Sequence, residues 1–388
     1  MPRRLRVLFV IGTMSGGGAE RQVIEILRHL DRARFEPLLY LASREGELLG
    51  EIPADVPLFA FRDGRPESWF RKICSRLKLA PLLRYFDLAR VLRREKIDVV
   101  YDRTYRATLD AAGATWFRPT PRISCCVADP EIEVRQQANG RSNLVRRIAR
   151  SAYHRASVVV ANSEGLRQRL IEYFQLATDR VQTCPNLVDF DRLTRLATEF
   201  VPDIPEEPFL IVTAGRLHPL KGHRYLVEAI DDLVHRRGHA VRLVVLGEGG
   251  ARDELSQIIV LRGLSSHVTL AGFVGNPLPW FRHARLCVLA SLSEGLPNVL
   301  LEAAACGTPV LSTDCPSGPH EILEGGRLGT LVPPANSTAL ADAIEDAIDH
   351  YPDWQTRAAL ARESIRLRFD VHTGIRQLEE LIESVARR

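Results

Sequence analysis

Short runs of Val, Ile and Leu, each ending at a glycine or polar loop and followed by an amphipathic stretch, recur along the whole chain. This alternation constrains the fold more than any other feature. Parallel strands buried on both faces read as continuous apolar runs, and each needs a crossover helix to reach its neighbour. In the first half the runs lie near Leu5–Val10, Pro37–Leu41, Val99–Tyr101, Arg122–Cys125 and Ser157–Ala161. Helices are expected at Ala19–Leu30, Leu82–Glu95, Asn143–Tyr153 and Glu164–Phe174. Asn162 and Ser163 offer cap residues at the start of the last of these. Phe200–Pro208, with three prolines and three acidic residues and no helical or strand period, reads as a linker. A second series follows at Phe209–Ala214, Arg242–Leu246, Val268–Ala271, Leu286–Leu289, Pro309–Ser312 and Gly329–Val332. A helical pattern then runs from about Thr338 to Val385.

A chain of 388 residues is too long for one ordinary core and suits two. The expectation is therefore an α/β protein of two Rossmann-like, doubly wound parallel-sheet domains facing across a cleft. The first domain spans 1–200 and the second 201–369. The last helix, about 370–388, is expected to pack back on the first domain. Ligands in such sheets sit beyond the carboxyl ends of the strands, so the loops after strands hold the chemistry.

Composition narrows the class. Apolar residues make up 45% and charged residues 26%, ordinary for a globular protein. The seven cysteines form no CxxC pair, which fits a reducing compartment and indicates neither a disulfide framework nor a zinc site. The N-terminal arginines before Val7–Ile11 imitate a secretory signal. The apolar run is too short, though, and it stops at a glycine cluster, as a buried first strand would. No stretch of about 20 apolar residues is present to span a bilayer. The net charge of +4 hides an asymmetry. Residues 1–200 hold 34 Lys+Arg against 24 Asp+Glu, and residues 201–388 hold 18 against 24. A basic first half suits an anionic partner, and no nucleic-acid recognition motif accompanies it. An anionic membrane surface is the better candidate. Trp69–Phe86 mixes basic and large apolar residues, and Arg135, Arg141, Arg146, Arg147 and Arg150 form a second basic cluster. An ordinary helix burying its apolar face with arginines in water is the competing reading.

Three strand-end loops stand out. The first, Gly12 to Gly18 (GTMSGGG), joins a strand to a helix. Consecutive glycines there let backbone N–H groups approach an anion at the helix start. It is not GxGxxG, and no acidic residue clearly ends the second strand, which disfavours a dinucleotide; a plain tight turn is the alternative. The second, Gly215 to Gly222 (GRLHPLKG), projects Arg216 and Lys221, a fork and a point charge able to neutralise a diphosphate. Two solvated charges are the alternative there. The third runs from Ser291 to Val310. A helix is expected to start near Pro297–Asn298, with its first-turn N–H groups toward a phosphate. Glu294 precedes that helix, and Glu302 lies one turn beyond Asn298. Two carboxylates flanking a phosphate-binding helix start suit hydroxyl groups on a sugar and a ribose.

Glu294 and Glu302 form an E-x7-E pattern, and Gly215-Arg216-Leu217 with Lys221-Gly222 matches its companion motif, so the chain resembles glycosyltransferase family 4. The match runs from Gly16-Gly17-Gly18-Ala19-Glu20-Arg21 through Pro185–Asp189 and onward. The resemblance implies the GT-B fold and a retaining hexosyltransferase that uses a nucleotide-sugar without a metal or other cofactor. It assigns the donor diphosphate to Arg216 and Lys221. The transferred sugar goes to Glu294, with the backbone of Gly295, Leu296, Pro297, Asn298 and Val299. Glu302 would hold the ribose, Gly16 and Gly17 would close over the phosphates, and Gly272 and Phe273 would frame the base. Thr313–Pro319 resembles a subgroup building lipid-linked oligosaccharides, capsule and O-antigen, usually from UDP-sugars, although His320 stands where that subgroup has arginine. The implied setting is polysaccharide biosynthesis by a cytoplasmic protein on the inner face of the membrane, with a glycan or polyprenyl-diphosphate-linked acceptor.

One departure concerns the acceptor side. Many members carry a histidine after a first-domain strand, and the corresponding Ile123–Glu131 has none. Asp129 or Glu131 is the candidate substitute. Asp189-Phe190-Asp191 imitates a DxD metal motif but falls at the domain border, where the family has it as structure. The vicinal Cys125 and Cys126 read as core strand. Two further functions stay open: a nucleotide-sugar epimerase or hydrolase of the same architecture, and a non-catalytic nucleotide-sugar-binding partner subunit.

Overall fold

The computed structural model describes residues 3–61, 80–138, 141–203 and 208–387. It divides into two units, Met1–Leu187 with His372–Arg388, and Val188–Val371. Each is built on one wholly parallel sheet among the described residues.

The first unit contains β1 (Leu5–Ile11), β2 (Phe35–Leu41), β3 (Leu58–Ala60), β4 (Val99–Arg103), β5 (Arg122–Cys126), β6 (Val158–Ala161) and β7 (Val181–Thr183). Their order is β3-β2-β1-β4-β5-β6-β7. β1 pairs with β2 on one side (Leu5 opposite Phe35) and with β4 on the other (Val7 opposite Val99). The strand order therefore reverses at β1, which places the Gly12–Gly18 loop at the switch point of the sheet. Helices Ala80–Arg94 and Tyr105–Phe117 cover one part of the sheet with a core that includes Leu8, Val10, Leu88 and Val100. Helices Ser142–His154 and Glu164–Phe174 cover the next part, around Tyr153, Val159 and Phe174. Sequence reading missed β3 and β7, each three residues long, and the helix Tyr105–Phe117. That helix buries alanines on several sides, so its sequence lacks an amphipathic stripe.

The second unit contains β8 (Phe209–Ala214), β9 (Val241–Leu246), β10 (Val268–Gly272), β11 (Leu286–Leu289), β12 (Val310–Thr313) and β13 (Thr330–Val332), ordered β10-β9-β8-β11-β12-β13. Here the reversal falls at β8, between β9 and β11. The C-terminal stretch forms three helices, Ser337–Asp349, Tyr351–Arg368 and Val371–Ala386. The last lies with the first unit, where Glu379 accepts from the Asp31 N–H and from Arg34 at 2.8 Å each.

The units part at Leu187/Val188, ahead of the proline-rich stretch. Val188 is bridged to Asp370, and Leu193 of helix Phe190–Leu196 and Ala197 just after it are buried in the second core. On the other side of that break, buried Gln22 grips Leu187 through both its N–H (2.7 Å) and its carbonyl (2.9 Å). Arg103, buried at the end of β4, donates to Asn186 at 2.7 Å. Asp189, the first residue of the DxD imitation, accepts from the Arg192 N–H at 2.9 Å and caps the helix that follows.

Candidate active site

In the second unit β8 and β11 are neighbours, with Ile211 opposite Leu286 and Val212 opposite Cys287. Two sequence-distant loops, Gly215–Gly222 and Ala290–Pro297, therefore emerge side by side at the carboxyl edge of the sheet. The Leu292 N–H donates to the Leu220 carbonyl at 2.8 Å and ties them together. Gly222 makes the approach possible. Its φ is +63°, and a β-carbon there would lie 1.9 Å from the Ala290 oxygen.

Across this junction Lys221 Nζ meets Glu294 Oε1 at 2.6 Å, over 73 residues of sequence. The same oxygen accepts from the Ser291 hydroxyl at 2.6 Å. Ser291 is fully buried, and its own carbonyl accepts from the Thr313 hydroxyl at the end of β12. Lys221 is partly exposed and Glu294 nearly buried, so the carboxylate is the more enclosed partner of the pair. Sequence reading assigned Lys221 and Glu294 to separate parts of a donor and did not foresee the pair. It missed Ser291 and Thr313 as well. Ser291 carried a local signal in its spacing of three residues from Glu294; Thr313 carried none.

The helix expected near Pro297 runs Asn298–Ala305, with Pro297 immediately before it and Glu302 partly exposed one turn in. The loop after β12 rests on this start. Gly318, at φ +80°, has room for no β-carbon, which would lie 2.5 Å from the Gly295 oxygen and 2.8 Å from Pro297 Cδ. Gly295, Leu296 and Pro297 are buried, and Asn298 and Val299 are partly exposed. Arg216 is exposed at the other end of the β8 loop and has no ion-pair partner among the described residues. Gly272 ends β10, two strands from β8, and Phe273 follows it; the Gly272 carbonyl accepts from the Gly247 N–H at 2.7 Å, and Phe273 is exposed. In the loop after β12, His320 Nδ1 lies 3.2 Å from Asp314 Oδ1.

Two buried groups report the local field. Burial, with the Lys221 charge added, lowers the His223 imidazole to about 4, so that it is neutral next to the lysine. Burial, followed by the Glu294 charge, pushes the Cys315 thiol up to about 12.

The first unit offers a different set. Gly16 has φ +83°, and Gly17 precedes helix Gly18–His29 without a side-chain cap. The loop is braced from outside: the Met14 N–H donates to the Glu45 carbonyl at 2.8 Å, and the Leu48 N–H to the Met14 carbonyl at 3.0 Å. Asp129, buried, accepts from the N–H groups of Glu131 (2.9 Å) and Ile132 (3.2 Å) and pairs with Arg169 at 2.9 Å. Glu131 pairs with Arg135 at 2.7 Å and with Arg169 at 3.2 Å. Both carboxylates are thus engaged in capping and ion pairing. Cys125 and Cys126 lie buried in β5.

Residues 16–192 match the profile of Glycosyltransferase Family 4, and residues 208–350 that of Glycosyl transferases group 1. A Campylobacter jejuni protein, N-acetylgalactosamine-N,N'-diacetylbacillosaminyl-diphospho-undecaprenol 4-alpha-N-acetylgalactosaminyltransferase, is 29% identical over 343 residues, covering 87% of this chain and 89% of that one. The D-inositol 3-phosphate glycosyltransferase of Paenarthrobacter aurescens is 33% identical over 238 residues, 59% of this chain and 55% of that one. Among solved structures, Anabaena HepE in complex with UDP-glucose superposes with a TM-score of 0.79 at 24% identity, covering 98% of this chain and 100% of that one. The paired Rossmann-like sheets are those of the GT-B fold. With a family profile matched in each half and the E-x7-E carboxylate tied to the lysine of its companion motif, the chain belongs to the family 4 glycosyltransferases.

Proposed function

We propose that this glycosyltransferase moves a hexose from a UDP-sugar, with retention of anomeric configuration and without a metal, onto a glycan carried by a polyprenyl diphosphate. The observation that carries the reading is the Lys221–Glu294 pair beside the start of helix Asn298–Ala305. A diphosphate placed there meets the ammonium of Lys221, the fork of Arg216 and the first N–H groups of the helix. These charges stand in for the divalent ion that other transferases use. Glu294, held through Oε1, keeps Oε2 for a hydroxyl of the transferred sugar, while Glu302 takes a ribose hydroxyl. Gly272 and Phe273 border the base. The likeness to a structure containing UDP-glucose supports the donor class. The Campylobacter relative, named for an undecaprenol diphosphate substrate, supports the acceptor class.

In the reaction the acceptor oxygen bonds to the anomeric carbon on the face from which the diphosphate departs. The bond from that carbon to the diphosphate oxygen breaks, and the departing oxygen accepts the acceptor's proton. Negative charge builds on the diphosphate, where Lys221 and Arg216 stabilise it. This route needs no protein nucleophile, in keeping with Asp129 and Glu131 being engaged elsewhere.

The test measures UDP release from a panel of UDP-sugars with and without a polyprenyl-diphosphate-linked acceptor, in EDTA and with added divalent ions. The anomeric configuration of the product is read by NMR. Acceptor-dependent release in EDTA with a retained anomer is expected. Donor consumed equally without acceptor would replace the reading with a hydrolase or epimerase. Tight UDP binding with no turnover would replace it with a non-catalytic partner subunit.

A further inference from the structure

We infer that one helical face of the first unit is a docking surface for an anionic lipid bilayer. Trp116 and Phe117, at the end of helix Tyr105–Phe117, are 68% and 47% exposed. Phe86, itself exposed, stacks on Phe117 with ring centroids 4.3 Å apart, and the Arg155 guanidinium lies 4.4 Å over the Trp116 ring. Arg155 directly follows helix Ser142–His154, where Leu144 and Ile148 are 53% and 50% exposed. Positions 144 and 148, four apart, fall on one stripe of that helix, and Arg155 lies at its C-terminal end, seven residues on. The aromatic end of one helix thus continues into an aliphatic stripe on the next. Clustered in this way and rimmed by basic side chains, the exposed apolar residues form the kind of patch that marks an interaction surface.

Charge selects the occupant. Arg118, Arg141, Arg147, Arg150 and Arg155 are exposed around the apolar residues, and residues 141–155 contain no acidic side chain. Asp110, the one carboxylate of helix Tyr105–Phe117, is buried against Arg84 at 2.9 Å. Arg146 is turned away, donating to the Tyr173 carbonyl and covering its ring, and Arg135 is paired with Glu131. A protein partner would need a complementary acidic rim, whereas an anionic bilayer supplies one continuously, with an interface that favours Trp and Phe. The stretch Trp69–Phe86, expected from sequence to be the lipid-facing segment, has residues 69–79, with Arg71 and Lys72, outside the described residues. The face drawn here does not depend on them, and it extends beyond the reaction proposed above.

Flotation with vesicles of phosphatidylglycerol and phosphatidylcholine, and with phosphatidylcholine alone, tests the inference on the full chain. Binding to the anionic vesicles only is expected. A Trp116→Ala/Phe117→Ala variant should partition at least tenfold more weakly. Arg147→Glu/Arg150→Glu should lose about thirtyfold or more, since each basic residue at such a surface is worth about fivefold. Leu367→Glu, at an equally exposed position in the second unit, should bind like the parent. Thermal stabilisation by UDP is measured on every variant. Unchanged stabilisation with lost flotation supports the inference. Lost stabilisation with intact flotation counts against the donor reading and leaves the docking face standing. Equal binding by all variants, equal binding to phosphatidylcholine alone, or a dimer that dissociates in the Trp116→Ala/Phe117→Ala protein would overturn it.

Discussion

Replacing Lys221 by Met keeps most of the side-chain stem and removes the ammonium that lies 2.6 Å from Glu294 Oε1. Two consequences follow, and their sizes differ. For stability, Glu294 retains its Ser291 hydrogen bond, and the lysine is 31% exposed, so water screens the pair. The loss falls between that of a surface pair and that of a buried one, about 1–2 kcal/mol. For catalysis, the proposed reaction sets the ammonium against charge that develops on the leaving diphosphate. Loss of one such contact costs about a hundredfold to a thousandfold in kcat, equivalent to about 2.7–4 kcal/mol. The catalytic loss should therefore exceed the stability loss and appear in kcat more than in KM. Urea unfolding measures the first quantity and UDP release at saturating donor the second. Lys221→Met/Glu294→Gln separates the two roles of the lysine. If Lys221 only neutralises Glu294, the double variant recovers activity. If it stabilises the diphosphate, the double variant is no better than the single. Recovery, or a Lys221→Met enzyme within tenfold of the parent, would refute the reasoning.

Three other outcomes are expected. The buried His223 imidazole sits at about 4, below its ordinary 6.5, so folding disfavours its protonation. Its neutral form supports full stability above about pH 6.5, and that contribution is lost as pH falls from there toward 4, to a total on the order of 3 kcal/mol. A His223→Leu variant should show a flatter urea midpoint across that window, and an unchanged slope would contradict the assignment. Gly222→Ala forces a β-carbon to within 1.9 Å of the Ala290 oxygen at a positive φ; it should cost about 2 kcal/mol or more and lower UDP affinity, read by unfolding and calorimetry. Asp129→Ala removes a helix cap and the Arg169 partner, for about 2 kcal/mol. If the carboxylate is structural, kcat of the folded fraction stays within a few-fold of the parent; a drop above a hundredfold would make it a catalytic group.

Much of the scaffold was legible because its strands are buried on both faces and end at loops. Phe209–Ala214 and Leu286–Leu289 carry enough apolar residues to mark their own limits, and the structure has them at those limits. The edge strands Leu58–Ala60 and Val181–Thr183 were invisible, since three residues on a sheet margin contain too little pattern. The units part at Leu187/Val188, earlier in sequence than the linker read at Phe200–Pro208. Proline and acidic content mark a solvated stretch, whereas the actual division follows from which core takes up Leu193 and Ala197. The exposed Trp116 and Phe117 passed unnoticed because a helix end in sequence does not say which of its residues remain uncovered.

For the candidate site, sequence alone determined the residue types and their spacing: a carboxylate eight residues before another, a lysine and an arginine in a glycine-bounded loop, and a proline ahead of a helix. Local geometry follows from such spacing, because loop and helix conformations depend on near neighbours. Tertiary structure decided the pairing. Lys221 meets Glu294 only because β11 lies beside β8 in the sheet, and Ser291 is braced only because β12 brings Thr313 next to it. Strand order is set by how the helices pack on the sheet faces, a property of the assembled core that no single segment encodes.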